Sequence, residues 1–189
     1  MSAPNSSPAK LPELLVLSDV VVSAPAVVLR AKHEPPQIRR DLARLSRCHT
    51  DCLILASMIE PIADGIHLAA QDEPQHSWPT PYTGIVGRSC HNLDEVRAAE
   101  LEGVHYVTLS PIFPTESKPG YGPALGLNEL RHVAGQTRLP VYALGGVHVG
   151  RVAACRAAGA TGVAVQGAVA RSSKPQAAIQ AILAEWQLG

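Results

Sequence analysis

A short apolar run, Val107-Thr108-Leu109, ends at Ser110 and opens into a loop reading PIFPTESKPGYG, where Thr115 and Ser117 supply hydroxyls and Lys118 an ammonium. Prolines and small residues turn the backbone tightly, hydroxyl and amide groups donate hydrogen bonds, and a compact cation suits phosphate. This loop has the chemistry of an anion site. A second candidate lies at Ala143-Leu144-Gly145-Gly146-Val147, where paired glycines break a strand-like run before a helical pattern. Glycines there let a phosphate approach the backbone. Arg30 and Lys32 alternate at the end of another apolar run, and Ser89 closes a third. Arg30 and Lys32 alone would pass as ordinary rim charges, and the paired glycines as a simple turn; their company with Lys118 is what points to a common ligand.

These side chains meet only if the elements carrying them are arranged as a barrel. Runs rich in Val, Ile and Leu alternate with stretches of helical period, the order of a parallel sheet wrapped by helices. Strands are predicted at 14–17, 26–29, 52–56, 65–68, 84–89, 105–110, 140–144 and 162–166, and helices at 35–47, 93–102, 125–134, 147–158 and from Pro175 onward. Asn92 and Glu95 suit a capped helix start and Gly103 a helix end. In the last helix Ala178, Ile179, Ile182, Leu183 and Trp186 form one apolar stripe. Eight short parallel strands in this order predict a (β/α)₈ TIM barrel, an α/β fold whose loops after the strands collect the site at one face. The few residues between the first two strands cannot form a crossover helix, so the first helix is expected to be missing. The flank left bare would need the N-terminal tail or a second subunit as cover, hence a possible homo-oligomer.

Composition narrows the partners. The chain has 189 residues, enough for a single domain with a sizeable core, expected over 13–189 behind a mobile tail over 1–12. Sixteen basic and sixteen acidic side chains cancel, so no nucleic-acid footprint or membrane-surface patch is expected. No segment has the apolar length of a bilayer span. Cys48, Cys52, Cys90 and Cys155 lack paired metal-ligand spacing, and no secretory signal is seen, which predicts reduced thiols in the cytoplasm. His67 and His105 fall within predicted strands and read as satisfied strand histidines.

Several motifs, in order, resemble the thiamine phosphate synthase and TenI (thiazole tautomerase) superfamily. Leu29-Arg30-Ala31-Lys32 is similar to its LRxK, Ala63-Asp64-Gly65-Ile66-His67-Leu68 to ADGVHL, and Val86-Gly87-Arg88-Ser89-Cys90-His91 to IGxSxH. The segment 110–118 resembles GPxFPTxTK, Leu144-Gly145-Gly146-Val147 resembles IGGI, and the segment 158–165 resembles AGADGVAV. The resemblance implies a thiamine biosynthesis transferase that joins a pyrimidine diphosphate to a thiazole phosphate with release of pyrophosphate. It further implies Arg30, Lys32, Ser89 and Lys118 around the departing pyrophosphate, with Ser89 and Lys118 catalytic. Thr115, Ser117, Gly145, Gly146, Gln166 and Gly167 would hold the thiazole phosphate, and Asp72 a Mg²⁺ ion. The chain is a divergent member: Ala56-Ser57 stands for an Asn-Asp pair that would carry a second magnesium carboxylate, and Gln166-Gly167 for Ile-Ser. The helical segments after strands one, three and four are shorter than the family pattern. A tautomerase would need a histidine where Pro111 stands; a noncatalytic binder of thiazole phosphate or thiamine phosphate is the further alternative.

Overall fold

The structure, a computed structural model, describes residues 11–74, 82–115 and 123–189. Ser117, Lys118 and all but the last two residues of the expected tail lie outside the described residues. Eight parallel strands close a barrel in sequence order: β1 (Leu14–Ser18), β2 (Ala24–Leu29), β3 (Thr50–Ala56), β4 (Gly65–Leu68), β5 (Ile85–Cys90), β6 (Tyr106–Leu109), β7 (Val141–Leu144) and β8 (Gly162–Val165). The last strand pairs with the first, Leu15 opposite Ala164, so no sheet edge remains. This is the (β/α)₈ fold expected from the pattern.

Because side chains alternate along a strand, each strand serves two cores. Leu15, Leu17, Ala26, Val28, Ile54, Ala56, Tyr106, Tyr142 and Ala164 fill the barrel interior. Leu14, Val16, Val27, Leu29, Leu53 and Leu55 belong to the outer layer, where Leu130, Val133, Ile179 and Ile182 of the surrounding helices are also buried. The interior is filled by large residues against small ones. A Cβ on Gly87 would fall within the Tyr106 ring, and one on Gly162 within the Tyr142 ring, so each glycine clears the space its tyrosine occupies. The two rings meet edge to face with centroids 5.5 Å apart, an arrangement worth about 1 kcal/mol beyond the area it buries.

The helices are α1 (Pro36–Arg47), α2 (Leu93–Glu102), α3 (Gly126–Ala134), α4 (Val152–Ala157), α5 (Gly167–Ala170) and α6 (Pro175–Leu188). In α2, Asn92 Oδ1 accepts from Glu95 N at 2.8 Å, and Glu95 reaches back to the backbone N–H of His91. Gly103 ends that helix at φ 83°, a left-handed conformation that favours glycine. No helix joins β1 to β2, as the short connection requires; Val22 from that connection packs on the outer layer instead. None joins β3 to β4 either.

Two expectations need correction. The helix predicted over 147–158 is confined to Val152–Ala157, because the chain first makes a turn in which Gly150 has φ 90° and Arg151 N donates to His148 O. The short α5 was not foreseen: its four residues give no periodic signal.

Candidate active site

A cavity of about 410 Å³ opens at the carboxyl ends of the strands. Arg30 and Lys32, just past β2, line it beside Ser89 of β5. The later loops add Thr115 after β6, Gly145 and Gly146 after β7, and Gln166 and Gly167 after β8. Eight of the residues picked from the sequence thus meet at one opening, although more than a hundred positions separate Arg30 from Gly167.

The loop after β6 is fastened to the turn after β7. Ile112 N donates to Leu144 O at 2.8 Å, Phe113 N to Gly145 O at 3.0 Å, and Arg151 Nη1 to Gly146 O at 2.7 Å. The Arg151 guanidinium also lies over the Phe113 ring, 4.6 Å from its centroid. Both glycines are required by this contact. Gly145 has φ 90° and Gly146 φ 65°; a Cβ would stand 2.7 Å from Pro111 Cα at the first and 2.5 Å from Pro114 O at the second. The pair is therefore a turn and a close approach in its own right, and it also presents backbone to the cavity.

Just past β2 and β3 two non-glycine residues adopt positive φ, Ala31 at 41° and Ser57 at 51°. Such conformations cost roughly 1–2 kcal/mol each and persist only when neighbours impose them. Here Ala31 N is held by Asp19 Oδ1 at 3.0 Å, while Ser57 N donates to His67 O. The result is a short polar chain: Lys32 Nζ donates to Ser57 Oγ at 3.1 Å, and Ser57 Oγ donates to Asp72 Oδ2 at 2.5 Å. The same oxygen accepts from Ala69 N at 2.8 Å. Partial burial works to raise the Asp72 carboxyl, but the bonds from Ser57 and Ala69 and the charges of Lys32 and Arg88 prevail and hold it below the usual range.

Asp72 is not itself a lining residue but follows directly on residues 69–71, which line the cavity. Arg88 points outward from β5 and fastens that segment from below, with Nη1 donating to Ala69 O and Asp72 O at 3.0 Å each. Among the described residues no cluster of three or more His, Cys, Asp or Glu side chains forms. One carboxylate and a hydroxyl make no cage for a metal. They do fit Mg²⁺, which keeps waters and binds through one or two carboxylates plus substrate phosphates.

Inward-facing His67 places Nε2 2.9 Å from Ser89 Oγ and Nδ1 2.9 Å from Tyr106 Oη. Burial, reinforced by the positive charges of Lys32 and Arg88, pushes its pKa down to about 4, so the ring is neutral near pH 7. His67 is thus both a satisfied strand histidine and a neighbour of the site. Counting strand parity would have found it, because His67 and Ser89 both face inward on adjacent strands. Arg171 also lines the cavity and was missed, lying just past the unforeseen α5; a Cβ on Gly167 would come within 2.5 Å of its Nη1, so that glycine makes room for the guanidinium.

A closed eight-stranded barrel with cations, hydroxyls and glycine turns around one mouth is a (β/α)₈ protein whose opening has the residue types of a phosphate site. The family model described as thiamine monophosphate synthase matches residues 53–169. The thiamine-phosphate synthase of Geobacillus thermodenitrificans is 36% identical over 157 residues, 79% of this chain and 70% of the relative. That of Lactiplantibacillus plantarum is 39% identical over 128 residues, 64% of this chain and 57% of the relative. The chain belongs to the thiamine monophosphate synthase family. Among solved structures, a thiamine phosphate pyrophosphorylase from Pyrococcus furiosus superposes with a TM-score of 0.77 at 22% identity, covering 94% of this chain and 96% of that one, a likeness that speaks to the fold.

Proposed function

We propose that this chain is a thiamine-phosphate synthase, a transferase of thiamine biosynthesis that condenses hydroxymethylpyrimidine diphosphate with thiazole phosphate, giving thiamine phosphate and pyrophosphate. The observation that carries the reading is the single cavity that Arg30, Lys32, Ser89, Thr115, Gly145, Gly146, Gln166 and Gly167 line together. Relatives that match much of the chain are named for this reaction.

Arg30 and Lys32 receive the diphosphate, and Ser89 donates a hydrogen bond to it as the carbon–oxygen bond breaks and negative charge builds on the leaving group. The family resemblance adds Lys118, which lies outside the described residues, to this set. Thr115, Ser117 and the backbone at Gly145, Gly146, Gln166 and Gly167 hold the thiazole phosphate. Asp72 would hold Mg²⁺ together with the substrate, and the ion would supply further neutralisation of the leaving group.

Cytoplasmic action is part of the proposal and agrees with four free cysteines. Among the described residues no helix is long and apolar enough to cross a membrane. A tautomerase finds less support, since Pro111 occupies the place of that reaction's histidine.

The test is turnover of the purified protein with both substrates, with and without Mg²⁺, following pyrophosphate and thiamine phosphate together. Metal-stimulated formation of both products, lost in Lys118→Ala and reduced at least a hundredfold in Ser89→Ala, is expected. Thiazole-phosphate binding without turnover would replace the synthase with a binder, and isomerisation of thiazole phosphate without pyrophosphate would replace it with a tautomerase.

A further inference from the structure

Tyr106, His67 and Ser89 form a line of hydrogen bonds running from the sealed barrel interior to the cavity. Tyr106 Oη lies 2.9 Å from His67 Nδ1, and His67 Nε2 lies 2.9 Å from Ser89 Oγ. Tyr106 is wholly buried and His67 is 5% exposed, with both ring nitrogens taken by these two contacts. The direction of the protons along this line follows from counting donors and acceptors.

A neutral imidazole has one N–H and one bare nitrogen, and a phenol has one O–H to place. His67 is the hydrogen-bond partner of the Tyr106 hydroxyl among the described residues. Burial raises the Tyr106 pKa well above its ordinary value, so the phenol keeps its hydrogen. If His67 Nδ1 carried the imidazole hydrogen, Tyr106 would have to accept it, and the phenol's own O–H would be left buried without an acceptor. That arrangement forfeits the full hydration of a hydroxyl. With Nδ1 bare, Tyr106 donates to it and nothing is orphaned.

The other end of the ring then has no freedom. Nε2 carries the hydrogen and donates it to Ser89 Oγ, whose own hydrogen turns away from the ring and is available to the cavity that Ser89 lines. We infer that Tyr106 and His67 are positioning residues that keep the Ser89 hydroxyl hydrogen off the ring and so leave it free to donate to an anionic oxygen of the ligand. With the other tautomer Ser89 would give its hydrogen to the bare Nε2 and face an anion with lone pairs alone.

This inference rests on the reading of the cavity as a diphosphate site, and its test separates the two. In the ligand-free protein labelled with ¹⁵N at histidine, long-range ¹H–¹⁵N correlation spectra report which ring nitrogen of His67 is protonated. The Nε2–H tautomer alone is expected, with the preference lost in Tyr106→Phe. Binding of inorganic pyrophosphate with Mg²⁺, followed by calorimetry, is expected to weaken about fivefold in Tyr106→Phe and more in Ser89→Ala. Because tyrosine acts only through the serine, adding Tyr106→Phe to Ser89→Ala should weaken binding no further, whereas a merely structural tyrosine would give additive losses. An Nδ1–H tautomer in the wild-type protein, or additive losses, overturns the inference. An Nε2–H tautomer in a protein that binds no pyrophosphate would retire the synthase reading while supporting the proton order; pyrophosphate binding beside an Nδ1–H tautomer would do the reverse.

Discussion

Arg88 and Glu102 form a buried ion pair outside the barrel, with side chains 8% and 6% exposed and Arg88 Nη2 donating to Glu102 Oε1 at 3.0 Å. Nε approaches Oε2 at 2.7 Å without the alignment of a hydrogen bond, so the pair is held chiefly through Nη2 and charge. Neither residue lines the cavity. Yet Arg88 also grips the carbonyls of Ala69 and Asp72, so the pair pins the Asp72 segment to the end of α2. Removing one charge leaves the other buried without compensation, and Glu102→Gln should cost about 3 kcal/mol in urea unfolding. A loss below about 1 kcal/mol would mean that water reaches the guanidinium.

The Lys32, Ser57 and Asp72 chain predicts how the protein responds to metal. Asp72→Asn removes the one carboxylate there and should raise the Mg²⁺ concentration for half-maximal turnover about tenfold. Ser57→Asp should lower it. The substitution is sterically mild, since Ser57 already has φ 51° and aspartate tolerates that region well. Equal metal requirements in wild type, Asp72→Asn and Ser57→Asp would remove Asp72 from the metal's surroundings.

At the paired glycines, stability and binding should fall together. Gly146→Ala would set a Cβ 2.5 Å from Pro114 O in a left-handed backbone, and Gly145→Ala one 2.7 Å from Pro111 Cα. Each is expected to cost about 1–3 kcal/mol of stability and to weaken thiazole-phosphate binding by displacing the loop after β6. Full binding affinity in a destabilised Gly146→Ala protein would limit that glycine to packing.

What the chain's order reveals, and what it hides, divides by range. Strand β4 and helix α2 occupy the bounds expected of them, because Val, Ile and Leu runs, the Asn92 cap and Gly103 are all local signals. The meeting of Arg30 with Gly145 at one mouth was also legible, since every strand end in a parallel barrel faces the same way. Contacts made through space were not. Nothing near Ser57 in sequence announces Lys32 or Asp72, and nothing near Arg88 announces its bond to Glu102. The start of α4 was misplaced because Val147 and Val149 extend the apolar pattern through a turn that Gly150 breaks.

Acid should unfold the protein by way of His67. Folded, its pKa lies near 4 because charging the buried ring would cost its hydration, with Lys32 and Arg88 adding repulsion; unfolded, it returns toward 6.5. Between those values the unfolded chain binds the extra proton, so stability is full above about pH 6.5 and falls as pH drops toward 4. The loss should reach on the order of 2–3 kcal/mol by pH 4.5. Asp72, whose carboxyl is lowered on folding, adds a further loss in the same direction only below its ordinary value of 3.8. Urea midpoints measured from pH 7.5 to 4.5 check this, with His67→Gln as the comparison: the variant starts less stable but should show a flatter profile across that window. A wild-type profile that stays level to pH 4.5, or parallels the variant's, would show that His67 carries no such penalty, and that its contacts with Tyr106 and Ser89 admit a charged ring.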